Sequence, residues 1–449
     1  MSEALKREYS FRDLILFHIT AIVTLRWVSF AAARGPSSLS LWFLSFFFFL
    51  LPIAYVVLDF SRRMPVEGGL YQWTKNTLGP FHGFICAWCY VVNNLFYFPS
   101  LLVTIAGYAA YTLATGKSLQ NNTQYVMVFS LIAFWVILFL NLIGVRFGKW
   151  VQNIGGLAIW IPGSLLILLG IVQYFRAGSA TAFTVSSFFP NFHQIDTWSA
   201  WSQICFAFTG IELASTMSEE IKDPERSIPK SIYVAGVIIT AIYILGTLSV
   251  LITIGSKDTN LVTGILQAIS AVFASVGFPH FIPLIAILLC LGGLGTLAAW
   301  IAGAARLPYT VGVDNYLPKA LAKLHPRFRT PYISLITIGI ITSIIIWISF
   351  AGASVKQAYL ALANATIILY FIPFMYLFIS HIRYNAKTGN KKLAYVLAFA
   401  GLVSTVIAII LSCIPPSDAN ATSYLLVVVG GSFGMIVVSL FFYVFGRRK

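Results

Sequence analysis

The sequence predicts an all-α integral membrane protein of twelve transmembrane helices. Three observations carry that prediction. Hydrophobic residues make up 59% of the 449-residue chain and charged residues only 10%, where a soluble surface needs roughly a quarter of its residues charged. Runs of about twenty apolar residues, long enough to cross the hydrocarbon core as helices, recur along nearly the whole chain. Two of those runs are interrupted at comparable places in two halves of the chain, by Arg26 in one and by Gly210 and Glu212 in the other.

In chain order the expected spans are 12–34, 39–60, 81–113, 123–144, 152–175, 196–218, 229–255, 279–311, 331–350, 356–380, 391–413 and 422–445. The third and eighth exceed bilayer thickness, so they are expected to tilt or to extend into water. The start, "MSEALKREYSFRD", is charged and leads into an apolar run without a clean cleavage site, which does not read as a signal peptide.

Lysines and arginines set the orientation. Arg62, Arg63, Lys75, Arg146, Lys149, Lys222, Arg226, Lys230, Arg306, Lys319, Lys323, Arg327, Arg329, Arg383, Lys387, Lys391 and Lys392 join the terminal basic residues on one side. Only Arg34, Lys117, Arg176, Lys257 and Lys356 fall on the other. That asymmetry puts both termini in the cytoplasm; the expected location is the plasma membrane. The net charge of +15 is spread over short loops. It suits topology and anionic headgroups rather than nucleic acid.

The first interruption lies in "ITAIVTLRWVSFAAARGP", Ile19 to Pro36, and the second in "ICFAFTGIELASTMSEE", Ile204 to Glu220. Glycine weakens a helix interior, and an ionisable residue at membrane depth needs a partner or water. Broken spans at corresponding places in two halves point to a transporter's binding site. Arg26 and Gly210 are about 184 residues apart, and the two long spans share a similar offset. The chain therefore divides into five helices (1–180), five more of inverted topology (190–388) and a final two (389–449).

"RGPSSLSLWFLSFFFFLLPIAYVVLDFSRRMPVEGGLYQWTKNTLGPFHGF", Arg34 to Phe84, resembles the second span and first loop of amino acid permeases of the amino acid–polyamine–organocation superfamily. Glu67, Gly68, Gly69 and Tyr71 are its most specific part. "FAFTGIELASTMSEEIKDPERSIPKSI", Phe206 to Ile232, resembles that family's sixth helix and following loop. The resemblance implies a five-plus-five inverted-repeat fold of the LeuT-like type, with an amino acid or amine bound where helices one and six unwind. It implies that Val23, Thr24, Leu25, Arg26 and Trp27 form one wall and Phe206, Ala207, Phe208, Thr209 and Gly210 the other. Two departures stand out. The family's glycine-rich first break is replaced by "VTLRW", and the fifth span, Asn153 to Leu169, lacks the lysine that some proton-coupled relatives carry.

Arg26 suits either of two roles, binding a substrate carboxylate or balancing Glu212, and the two charges are expected to pair across the breaks. Glu212 is the candidate proton-coupling carboxylate, because intramembrane carboxylates usually sit on transport pathways; it could instead meet a substrate amine or pin a helix. Asn93 and Asn94 could face the cavity or bind helices together. Trp27, Phe206 and Phe208 could gate the site or simply pack. His18 and His280 are read as interfacial, and Glu67, Glu219, Glu220 and Asp223 as solvated or salt-bridged loop residues. Cys86 and Cys89 form a lone CxxC within one helix and read as packing residues rather than metal ligands. No cofactor motif is present.

The reading that follows is secondary active transport of amino acids or related amines, by proton symport or by exchange. A polyamine or organocation carrier is the near alternative and a channel the distant one. No HExxH, GxSxG, aspartate pair or Walker motif points to an enzyme or an ATP-driven pump.

Overall fold

The computed structural model describes residues 7–112, 116–191, 193, 195–260, 263–314, 316–350, 355–388, 392–415 and 421–446. Its helices run α1 (Phe11–Ile22), α2 (Arg26–Ala32), α3 (Ser37–Ser45), α4 (Leu51–Arg63), α5 (Gly69–Leu78), α6 (Pro80–Ala110), α7 (Gly116–Leu119), α8 (Thr123–Leu142) and α9 (Val145–Ala177). They continue as α10 (Ile195–Ala207), α11 (Pro224–Thr253), α12 (Gly264–Ser275), α13 (Ile282–Val313), α14 (Tyr332–Phe350), α15 (Val355–Thr388), α16 (Lys392–Ser412), α17 (Ala421–Tyr424) and α18 (Gly431–Gly446). Among the described residues the only β pairing is an isolated parallel bridge between Tyr9 and Ile221.

Among the described residues nine helices, counting α3 and α4 as one span across the π turn Phe46–Leu50, are long and apolar enough to cross a membrane. A tenth is the bent pair of α1 and α2, which meet at 44°. The two remaining expected spans are helical but broken into shorter pieces. The stretch 196–218 is α10 followed by turns and the 3₁₀ segment Leu213–Glu220. The stretch 422–445 is α17, a π turn at Leu425–Gly430, and α18. An unpredicted short apolar helix, α12, lies between α11 and α13.

The surface is apolar where a soluble protein's would be polar. Phe43, Phe47, Ile132, Phe139, Trp150, Ile161, Trp347 and Phe399 are all exposed, as a lipid-facing shell requires. The polar residues are turned inward, and small residues let the inner helices approach. A Cβ added to Gly155 of α9 would lie 2.5 Å from the Gly295 Cα of α13 and 3.3 Å from Thr20 of α1. The α9 and α13 backbones therefore meet directly, with the Thr20 side chain of α1 packed into the same contact.

Helix α1 starts on a capping box. Ser10 accepts from the Asp13 amide, and Asp13 accepts from the Ser10 amide at 2.9 Å, which satisfies two of the first-turn donors. It stops at Ile22, and α2 restarts at Arg26. The segment 23–25 between them is the first break, and it is wholly buried.

Candidate functional site

Ending α1 at Ile22 orphans its last carbonyls, which an uninterrupted helix would satisfy internally. Three side chains from other helices take them. Thr296 Oγ1 of α13 donates to the Thr20 carbonyl at 2.6 Å, Trp300 Nε1 of α13 to that of Ala21 at 2.8 Å, and the Tyr243 hydroxyl of α11 to that of Ile22 at 2.6 Å. The same hydroxyl lies 3.1 Å from the Ala207 carbonyl, the last of α10. One tyrosine thus ties the two broken ends together.

The second break turns on Gly210, whose φ of +109° is a conformation that side chains rarely adopt. A Cβ there would sit 3.1 Å from Trp300 and 3.2 Å from Ile22, so the turn lies directly against the first break. Thr209 spends its hydroxyl on the Phe206 carbonyl at 2.7 Å.

Glu212 is fully buried. One carboxylate oxygen accepts from the Tyr90 hydroxyl of α6 at 2.9 Å and from the Tyr370 hydroxyl of α15. The other accepts from the Gly210 amide at 3.0 Å. Three donors from three segments converge on one acid, which fixes the turn to α6 and α15.

The expected ion pair between Arg26 and Glu212 is not formed. Arg26 is 1% exposed, and among the described residues no carboxylate lies within ion-pair distance of it. Its Nη1 donates to the Ser100 side chain at 3.1 Å and to the Ser100 carbonyl at 3.4 Å. Its guanidinium carbon lies 4.7 Å from the Trp27 ring centroid, 5.5 Å from that of Tyr97 and 5.8 Å from that of Tyr359. Aromatic faces attract a desolvated cation, so rings do the work that the sequence reading gave to Glu212.

Val23, Thr24, Leu25 and Arg26 line a small cavity of about 20 Å³ together with residues of α6, α9 and α13. Trp27 meets Phe206 across the two breaks, ring centroids 5.7 Å apart. Phe206 also packs on Tyr97, Tyr370 and Phe371, and Trp300 on Tyr90, Tyr97 and Tyr370. This aromatic cluster fills the space between Arg26 and Glu212. Phe208 points elsewhere, packing on Trp42 and Tyr243. Asn94 donates to the Tyr90 carbonyl of its own helix at 2.7 Å; the side-chain oxygens of Asn93 and Asn94 are buried and unpartnered.

Sequence reasoning missed Tyr90, Tyr97, Ser100, Tyr243, Trp300 and Tyr370. For the five aromatics the one signal was a polar tip inside an apolar span, which seeks a partner when buried; Ser100 gave none.

A closed polar layer lies where the loop after α4 and the 3₁₀ segment after the second break come together. Arg306 of α13 grips Glu220 with Nη2 at 2.7 and 3.0 Å and Nε at 3.2 Å. Glu67 accepts from the Glu219 amide at 2.9 Å, and the Gly68 amide donates to the Thr216 carbonyl at 3.1 Å. Tyr9 reaches Gln152 at 2.8 Å, and Lys75 pairs with Asp314 at 2.6 Å. Glu67 is therefore buried rather than solvated; Glu220 is salt-bridged, one of its two expected roles, but in the interior, and Arg306 is an interior partner rather than a loop charge. Burial, and then the neighbouring Glu220 charge, push the Glu67 carboxyl well above the usual glutamate range. Glu219 and Asp223 are exposed as expected, and His280 is exposed too. His18 is not interfacial. It is fully buried, with neither ring nitrogen partnered.

The sequence model of a family described as amino acid permease matches residues 9–441. The chain is 26% identical to an uncharacterized transporter of Legionella pneumophila over 90% of its length and 89% of that protein's. It is 24% identical to a probable agmatine/putrescine antiporter of Lactococcus lactis, covering 97% of this chain and 94% of that one. A glutamate/gamma-aminobutyrate antiporter of the same species is 24% identical over 78% of this chain and 73% of its own.

Proposed function

The chain belongs to the amino acid permease family, and on that premise we propose that it is a secondary active transporter of amino acids or related amines, working by alternating access. The observation that carries the reading is the junction of two broken helices inside an apolar bundle, with Tyr243 bonded to the last carbonyls of both α1 and α10. Broken ends of this kind expose main-chain polar groups at depth, where a small polar solute can replace their partners. The antiporters among its relatives support exchange as one mode of action.

In this reading the chain crosses the membrane twelve times with both termini cytoplasmic. Residues 1–180 and 190–388 form inverted repeats, and 389–449 form two added helices. The substrate lies between the segment 23–27 and the segment 206–210, beside Asn93 and Asn94. The Trp27–Phe206 contact and the Arg306–Glu220 layer are both closed here. Access from one side would require parting the rings, and from the other side parting the ion pair. Glu212 would carry the coupling proton. Protonation removes acceptor capacity from one carboxylate oxygen and so loosens its hold on Tyr90, Tyr370 or Gly210.

The test is counterflow in proteoliposomes loaded with unlabelled amino acids or amines. Substrate-dependent accumulation of label supports a carrier; saturation-free downhill flux alone would mark a channel and overturn the reading. Glu212→Gln is expected to flatten the pH dependence of uptake while leaving exchange partly intact. A cysteine at Lys257 should react with an impermeant thiol reagent from outside, above the parent's own labelling, and one at Lys387 should not.

A further inference from the structure

Helices α6, α13, α14 and α18 border a recess of about 540 Å³, with Trp88, Leu95, Val311, Ile338 and Met435 among its walls. It opens on the lipid-facing surface, where its rim residues Ile341, Val438 and Phe442 are exposed. No charged residue lines it. Two of its polar tips are already spent, since Trp88 Nε1 donates to the Met435 carbonyl at 2.9 Å and Ser334 Oγ to the Leu321 carbonyl at 3.1 Å. The volume falls within the roughly 300–1,000 Å³ of sites that hold a whole ligand, and a space so apolar gives water few partners.

The recess has the depth of one leaflet. Its lining residues on α6 run from Phe84 to Leu95, about 16 Å of helix, and half a bilayer's hydrocarbon is about 15 Å deep. At one end lies the short 3₁₀ segment Lys319–Ala322. Pro318, Ala320 and Leu321 face the recess, while Lys319 between them and Lys323 just beyond are exposed. Among the described residues neither lysine is ion-paired, and the stretch 315–330 contains no acid. The acid just before it, Asp314, is held by Lys75 at 2.6 Å and by the Tyr71 hydroxyl at 2.5 Å. Two uncompensated cations therefore stand at the end of an apolar slot one leaflet deep.

We propose that this recess holds an acyl chain of an anionic phospholipid whose headgroup phosphate rests on Lys319 and Lys323. The chain covers the apolar walls and the headgroup supplies the missing negative charge. A zwitterionic headgroup offers the same phosphate but cancels it with a cation of its own. From the proposed function the inference takes only the orientation, which puts both lysines at the cytoplasmic leaflet, where anionic lipids lie. A chain in the recess touches α18 as well as α13 and α14, so it fastens the last helix to the bundle beside the Trp88–Phe442 contact, 5.1 Å between ring centroids.

The test uses the full chain, purified in detergent and stripped of lipid. Native mass spectra and thermal melts are taken with dioleoyl phosphatidylglycerol, dioleoyl phosphatidylcholine and glycerol 3-phosphate. Phosphatidylglycerol is expected to be retained roughly tenfold over phosphatidylcholine, from two lysines near an anionic headgroup, and to raise the melting temperature more. The preference should shrink as salt rises. Lys319→Gln combined with Lys323→Gln should bring the two lipids close to parity without moving the lipid-free melt. Thr337→Phe, which fills the recess, should lower retention of both lipids. Equal retention of the two lipids by the parent overturns the proposal, as does a preference that survives in the double glutamine variant. Stabilisation by glycerol 3-phosphate as large as that by the lipid would remove the acyl chain from the site. These readouts do not involve transport, so each of those results leaves the transporter reading standing.

Discussion

Arg26 and Glu212 flank the same pair of broken helices, both are buried, and they do not touch. Arg26 is held by Ser100 and aromatic faces, Glu212 by two tyrosines and a glycine amide. Separate partners mean separate energies, since sites without shared contacts add to within about 0.5 kcal/mol. The melting-temperature losses of Arg26→Ala and Glu212→Ala should therefore sum in the double variant. Stability regained in the double variant would show a coupling that this arrangement does not contain. Glu212→Ala alone should be costly, because it strips an acceptor from three buried donors at about 1–3 kcal/mol each.

Tyr243 is the tie between the breaks. Tyr243→Phe keeps the ring and its stacking on Trp42, 4.6 Å between centroids, but removes the single hydroxyl proton shared between the carbonyls of Ile22 and Ala207, of which that of Ile22 still accepts from the Thr24 amide at 2.8 Å. One buried acceptor left unmade costs about 1–3 kcal/mol. A drop of that size is expected in detergent melts, with uptake reduced more than stability because the breaks lose their register. Full activity together with parental stability would remove Tyr243 from the site.

Gly210 cannot become alanine cheaply. Its φ of +109° is unfavourable for any side chain, and the added methyl would press on Trp300 at 3.1 Å and Ile22 at 3.2 Å. Backbone strain of this kind costs about 1–3 kcal/mol. Gly210→Ala is expected to melt lower and to transport poorly. Gly236→Ala in α11, where a Cβ meets nothing within 4 Å, should be neutral or slightly stabilising and serves as the control. Equal melting temperatures for the two variants would contradict the geometry.

The breaks were legible because Arg26, Gly210 and Glu212 are anomalies in apolar runs, and an anomaly is a local property. Their partners were not. Glu212 meets Tyr90 and Tyr370, separated from it by 122 and 158 residues, and Arg26 meets Ser100 across 74. A linear reading pairs opposite charges because charge is what a sequence displays; it cannot display which neutral hydroxyl the fold carries alongside. The same gap made Glu67 and Glu220 look like loop acids. Glu220 is partnered by Arg306, 86 residues further along, and Glu67 by the Glu219 amide, 152 residues away, and neither partner is visible in the local sequence. The positions of the apolar helices were readable because they follow from composition over twenty residues. The pieces at 196–218 and 422–445 were harder, since turns within them shorten each helix below a full crossing.

Glu67 makes the closed polar layer sensitive to pH. Its carboxyl is raised by burial first and by the Glu220 charge second, while the Glu219 amide and Arg306 act the other way. The folded protein therefore holds the proton on Glu67 at pH values where the unfolded chain, near the ordinary value of 4.5, has released it. The contribution to stability is fully present below that ordinary value and is lost as pH rises through the folded one. Glu67→Gln keeps an oxygen to accept from the Glu219 amide but carries no proton to lose. The variant and the parent are expected to melt closely together at pH 4.5, and the variant should melt higher at pH 8. The gap should widen by about 1.4 kcal/mol for each pH unit crossed below the raised value. Arg306 still pairs with Glu220 in both proteins, so the comparison isolates one carboxyl. A gap that stays constant between pH 4.5 and pH 8, or one that closes as pH rises, would mean that Glu67 is ionised in the folded protein and that the layer is held by charge rather than by a buried neutral acid.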